Sequence, residues 1–219
     1  LPMDELSVRI AQYFPVLLQG VKATLIVTAG SLLLSTVLGL IWALMRSSGI
    51  RWLAWLSVSA VNIIRGIPII VILFYVYFVF PDIGIDVNAV QASILGLGVA
   101  YSAYQSENFR AGIEAIDHGQ VEASQSMGMT WATMMRRVIL RQAVRITLPP
   151  YGNTMIMMLK DSSQASTITV AELAMQGKLL ATSNFDNVTV FTMVAIMYLV
   201  MCMPLIFLVK YLEKRTKKA

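Results

Sequence analysis

Five apolar runs, at about 18–46, 54–80, 88–117, 149–170 and 187–211, fill most of this 219-residue sequence. Each is about as long as the roughly 20 residues that a helix needs to cross a hydrocarbon core. In that solvent every backbone N–H and C=O must be paired inside the chain, so helices are the expected form. Composition agrees: 57% hydrophobic and only 13% charged residues leave too little polar surface to wrap a water-soluble domain. The expected fold class is an all-α integral membrane protein of one domain, with five transmembrane helices. An N-terminal interfacial helix is expected ahead of them, because Leu6, Ile10, Phe14 and Leu17 recur at helical spacing with Ser7, Arg9 and Gln12 between. Leu1 to Glu5 has no positive n-region and no small-residue cleavage pattern, so the opening is not read as a signal peptide.

The first run carries Ser31, Ser35, Gly39 and Ala43 at four-residue spacing, and the third carries Ala92, Gly96 and Ala100. Such stripes let a second helix approach closely where lipid offers no hydrophobic drive for association. In the second run Arg65-Gly66-Ile67-Pro68 predicts a break, since Pro removes a backbone donor. Broken helix ends of this kind can offer backbone donors to a ligand. Leu148-Pro149-Pro150 predicts another break, at the start of the fourth run.

Lys and Arg in short connections orient a multi-pass chain. Arg46 and Arg51 follow the first run; Arg136, Arg137, Arg141 and Arg145 follow the third; Lys210, Lys214, Arg215, Lys217 and Lys218 follow the fifth. The opposite connections hold Asp82, Asp86 and Lys178. The N-terminus is thus expected outside and the C-terminus in the cytoplasm, with 118–148 a cytoplasmic loop. This placement also accounts for the net charge of +5, which in a soluble protein would point to nucleic acid. Cys202, the single cysteine, sits in an apolar run and is read as a packing residue, and no metal-ligand pattern is present.

Ionisable side chains at membrane depth are expensive and mark candidate pathways. Glu107 lies about ten residues from the cytoplasmic end of the third run and Asp161 about twelve from the start of the fourth, which at roughly 1.5 Å per residue gives similar depths. Two carboxylates at one depth point to a cationic guest. Asn153, Met157, Asp161 and Gln164 form one stripe on the fourth run, with Lys160 turned away; Tyr104 and Gln105 lie on the third. The candidate substrate-binding set is Glu107, Asp161, Asn153, Tyr104, Gln105, Met157 and Gln164. Its competing structural reading is internal ion pairing, of Glu107 with Arg110 or of Lys160 with either acid.

Inside 118–148, Glu122-Ala123-Ser124, three residues, Gly128, nine residues and Val138-Ile139-Leu140 resemble the cytoplasmic loop motif of ABC importer permeases: Glu-Ala-Ala, three residues, Gly, nine residues, Ile-x-Leu-Pro. Ser124, Val138 and Arg141 depart from it. Arg65-Gly66-Ile67-Pro68, the stretch from Ala103 to Ile113, and Lys160-Asp161-Ser162-Ser163 are similar to segments of permeases for polar amino acids of the histidine, arginine and glutamine type. The resemblance implies a subunit of an importer in the prokaryotic plasma (inner) membrane. In it a short coupling helix carrying Glu122, Ala123, Ser124 and Gly128 docks on an ATP-binding-cassette ATPase. It also implies a second permease subunit, identical or a close relative, an extracytoplasmic amino-acid-binding protein, and alternating access for a polar amino acid; the two acids favour a basic one, while Lys160 and Arg110 could cancel them and leave glutamine acceptable. The chain has no Gly-x-x-x-x-Gly-Lys-Ser/Thr phosphate loop and is expected not to be an enzyme: it carries no cofactor, while ATP and Mg belong to the partner. The alternative function is an ion-coupled secondary transporter or channel subunit. An intramembrane enzyme lacks both His-Glu-x-x-His and a Ser–His pairing on neighbouring runs.

Overall fold

The computed structural model describes residues 3–216. Leu1, Pro2, Lys217 and Lys218 lie outside the described residues, so the readings that rest on them do too. Among the described residues the only regular elements are helices. They are α1 (Met3–Ser47), α2 (Arg51–Gly66), α3 (Ile69–Phe74, continued by a π turn, Tyr75–Val79), α4 (Ala89–Glu114), α5 (His118–Ser126), α6 (Trp131–Met134, continued by a π turn, Met135–Ile139), α7 (Leu140–Asp161, continued by a 3-10 segment, Ser162–Ile168), α8 (Leu173–Asn184) and α9 (Asn187–Thr216). Two of these, α1 and α9, are long and apolar enough to cross a membrane; α2 and α3, bent by 98° at their junction, make a third if taken as one span.

The small-residue stripes do what their spacing predicts. Ser31, Ser35, Gly39, Ala43, Ala92, Gly96 and Ala100 are all buried. A Cβ added at Gly39 would come within 2.7 Å of the Gln105 Cβ, so Gly there is what lets α1 lie against α4. Gly30 meets Ile94, Gly98 meets Leu34 and Gly39 meets Gln105, so α1 and α4 run parallel. Helix α7 runs antiparallel to α4: Gly112 packs on Ala143 and Thr147, Asn108 bonds Thr154 and Tyr101 bonds Asp161. The α2–α3 pair returns the chain from the end of α1 to the start of α4. Its break lies at the predicted place, with Ile67 extended and Pro68 capping α3.

Three core clusters stack along the bundle. Val27, Leu73, Leu97, Tyr101, Met158 and Ile168 form the middle. Leu17, Leu173, Val190 and Val194 close one end, and Ile116, Met134, Ile139 and Ala143 the other. Apolar side chains such as Leu33, Val37, Ile63, Ile196, Val200 and Phe207 remain exposed around the outside, as lipid-facing positions do.

Three expectations are corrected. Among the described residues no separate interfacial helix precedes the first span: α1 is one helix of 45 residues, about 67 Å long at 1.5 Å per residue, with Pro15 inside it. Tyr13 and Leu17 pack against α8 and α9, and Arg9 pairs with Asp186 at 3.0 Å, so tertiary contact carries the helix through the proline. Nor does Leu148-Pro149-Pro150 break the chain. Helix α7 runs through both prolines, whose flanks are held by Thr147 on Gly112 and by Gly152 on Val209 of α9. The stretch after the fourth run is no simple loop either, since it contains α8, packed on α1 through Gly20 and on α9 through Gly177.

Candidate functional site

Helix α7 presents Asn153, Met157 and Asp161 on one side. Asn153 and Met157 are exposed there, and Asp161 and Gln164 are half-buried at its far end. Asp161 is the last residue of the α-helical run. The chain tightens to 3-10 geometry at Ser162, which shifts Gln164 off the α-helical stripe. On α4, buried Tyr101 donates its hydroxyl to Asp161 Oδ2 at 2.7 Å. The Tyr101 ring lies 5.7 Å from that of Tyr104, which is 39% exposed and carries the Arg65 guanidinium 5.8 Å above it. An acid, one exposed tyrosine, an arginine and neutral polar groups therefore lie along one strip, with Tyr101 buried behind it, and charged and hydrogen-bonding parts of a small polar molecule can both be met there.

Two residues of the expected set sit elsewhere. Gln105 is fully buried against Gly39; its Oε1 accepts from Asn108 at 3.1 Å, and its Nε2 has no partner. Glu107 accepts from Arg46 of α1 at 3.0 Å and from Arg110 at 2.8 Å, and Arg110 also pairs with Glu114. The expected equality of depth fails as well. With Tyr101 opposite Asp161 and Asn108 opposite Thr154, Glu107 lies about six residues, roughly 9 Å, further toward the α5 end. The misjudged depth came from starting the fourth helix at 149, whereas α7 begins at Leu140. Lys160 is exposed and, among the described residues, pairs with neither acid.

Sequence reasoning also missed Glu172. This fully buried carboxylate caps α8, accepting from the backbone of Ala174 at 2.8 Å and Met175 at 2.7 Å and from the Tyr198 hydroxyl at 2.9 Å. Burial pushes its carboxyl above the ordinary range, against the pull of those three donors. The available signal was an acid just ahead of a helical run, where negative charge favours a helix N-terminus.

The other candidate element is α5. Asp117 caps it by accepting from the Gly119 N–H at 2.7 Å. Its C-terminus is a Schellman turn: Gly128 N–H bonds Gln125 O, Met129 N–H bonds Ser124 O, and Gly128 adopts φ +73°. Glu122 and Ala123 face solvent, together with Met127, whose 78% exposure sequence reasoning did not anticipate. Ser124 points inward and donates to Gln120 O. Val121 packs into the cluster around Ile139, and the Trp131 indole donates to Ser47 O at 3.2 Å, so this end is fastened to α1.

Residues 35–218 match the family described as "Binding-protein-dependent transport system inner membrane component". The probable amino-acid ABC transporter permease YckA of Bacillus subtilis is 37% identical over 92% of this chain and 89% of its own length. The probable glutamine ABC transporter permease GlnM of the same organism is 36% identical over 94% and 95%. Among solved structures, one described as an amino acid ABC transporter with histidines superposes with a TM-score of 0.86 at 34% identity, covering 95% of this chain and 97% of that one.

Proposed function

The chain belongs to the family of inner membrane components of binding-protein-dependent transport systems, and from that premise we propose that it forms the translocation pathway for a polar amino acid in an ATP-driven importer. The carrying observation is α5: a short, capped helix, tied to the body through Val121 and Trp131, with Glu122, Ala123 and Met127 outward. A rigid peg of this kind suits the transmission of closure in an ATPase subunit to rocking of the spans. On this reading five spans (α1, the α2–α3 pair, α4, α7 and α9) cross the membrane, with the α5 end cytoplasmic and the N-terminus outside. A second permease subunit faces the strip of Asn153, Met157, Asp161 and Tyr104, and a binding protein delivers the guest from outside. Asp161 favours a positively charged side chain. The relatives named above are ABC transporter permeases, so the ion-coupled alternative is set aside.

Reconstitution with the ATPase and binding protein tests this. Glu122→Lys reverses the charge on the outward face, and Gly128→Asp places a side chain at φ +73°. Each is expected to uncouple ATP turnover from uptake while the subunit stays folded; undiminished transport in both variants overturns the docking.

A further inference from the structure

Helix α7 has a second exposed face. Leu148 and Met157 are nine residues apart, half a turn out of phase at 100° per residue, so the side carrying Val144 (54% exposed) and Leu148 (37%) is opposite the polar strip. Behind it lies a cleft of about 260 Å³ between α1, α4 and α7, walled by Leu40, Phe109, Ile113, Val144, Leu148 and Tyr151. The volume is below the roughly 300–1,000 Å³ of pockets that take compact ligands. The polar atoms inside are already used: Tyr151 and Thr36 share a hydrogen bond at 2.8 Å, and Phe109 stacks on Tyr151. Nothing is left within to receive a charged head, so the cleft suits an alkyl chain.

Beyond the cleft lining, toward the α5 end, the chain carries two exposed arginines. Arg141 continues the stripe Val144, Leu148, Tyr151 one turn further at helical spacing, and Arg137 lies four residues before it in the π turn Met135–Ile139; both are exposed. Acids of α4 and its end at this level are engaged: Glu114 pairs with Arg110, and Asp117 caps α5. On the outer flank, Val37 (50%) and Ile41 (45%) of α1 are exposed beside the cleft and lead into the lipid-facing surface.

We propose that this cleft is a binding site for an anionic phospholipid of the cytoplasmic leaflet, one acyl chain lying between α1, α4 and α7 and the headgroup phosphate on Arg141 and Arg137. The site rests on the membrane orientation given above, but its test is independent of transport. The full chain is placed in phosphatidylcholine nanodiscs doped with phosphatidylglycerol carrying a photoactivatable mid-chain diazirine, with or without its ATPase, and the labelled residues are mapped by mass spectrometry. Label is expected on α7 around Val144 and Leu148 and on α4 around Phe109 and Ile113. Arg141→Gln is expected to lower it about fivefold, the effect of removing roughly 1 kcal/mol of attraction per basic side chain near an anionic lipid. Val144→Trp fills the cleft and is expected to lower it with the charge intact; should that variant not fold, the surface substitution Arg141→Gln decides. A phosphatidylcholine probe is expected to label these residues weakly, and inorganic phosphate to compete not at all. Three results overturn the proposal: equal labelling by both lipids, labelling unchanged in Arg141→Gln, or displacement by inorganic phosphate, which would make the site one for soluble anions.

Discussion

Tyr101 and Asp161, sixty residues apart in sequence, share a 2.7 Å hydrogen bond that links α4 to the end of α7. The hydroxyl donates to one carboxylate oxygen, and on the proposed function the other is the atom that meets a guest. Asp161→Asn removes the charge and keeps the shape. It is expected to weaken a basic amino acid about tenfold or more, the loss of one charged hydrogen bond at roughly 1.5–3 kcal/mol, and glutamine far less. Uptake KM for arginine and for glutamine in the reconstituted importer measures the contrast; equal losses for both make Asp161 a structural residue.

Glu107 gives the opposite expectation. Held by Arg46 and Arg110 from two helices, its oxygens fasten α1 to α4, and a structural role is the expectation. Glu107→Gln is expected to lower thermal stability by roughly 1 kcal/mol, since the group is partly exposed and screened. All substrates should be affected alike. In a double-mutant cycle, Arg46→Gln is expected to cost much less in the Glu107→Gln background than alone. Selective loss of basic substrates in Glu107→Gln, with stability intact, returns the residue to the pathway.

Glu172 organises the far end, where its two oxygens receive two backbone donors and a hydroxyl. Glu172→Ala strands those donors at about 1–3 kcal/mol each and empties space beside Leu173. The melting temperature of the purified subunit is expected to fall by several degrees. Glu172→Gln, which keeps one acceptor oxygen, should fall between. A wild-type melting temperature in the alanine variant would mean that this carboxylate holds nothing together.

What was legible in the sequence was short-range. Four-residue spacing placed Ser31, Ser35, Gly39 and Ala43 in an interface because such a stripe falls on one helix face whatever the partner. Pro68, two residues after Gly66, marked the bend because its missing N–H is a local fact. Pro15, Pro149 and Pro150 are the same residue type yet lie within helices, since contacts from 100 or more residues away, or from α4 and α9, outweigh the lost bond there. Helix α8 was hidden because Gly177, Lys178, Thr182 and Ser183 look like a loop until α1 and α9 are seen packing on it. Period alone put Asn153, Met157 and Asp161 on one side of α7; that Tyr104 of α4 lies near Asp161, through Tyr101, is seen only in the packed structure. The separation of Glu107 from Asp161 depends on the register of α4 against α7, which neither helix encodes by itself.

The pairing of Arg9 with Asp186 predicts a pH dependence. Burial of Asp186 favours its neutral form, but the Arg9 guanidinium at 3.0 Å and the Thr189 N–H at 3.2 Å outweigh that and hold the carboxyl below its ordinary value of 3.8. A carboxyl lowered by folding binds fewer protons in the folded state. Its stabilisation is therefore full above the unfolded value and is lost as pH falls below about 4 toward the folded one. Asp186→Asn retains an oxygen to cap α9 at Thr189 and loses only the attraction to Arg9. The wild type is expected to melt higher than Asp186→Asn at pH 6, the gap closing as pH is taken from 5 to 3, while Arg9→Gln shows the same loss at pH 6. A gap that stays constant across that range would place the effect in packing at the α9 N-terminus and not in the ion pair.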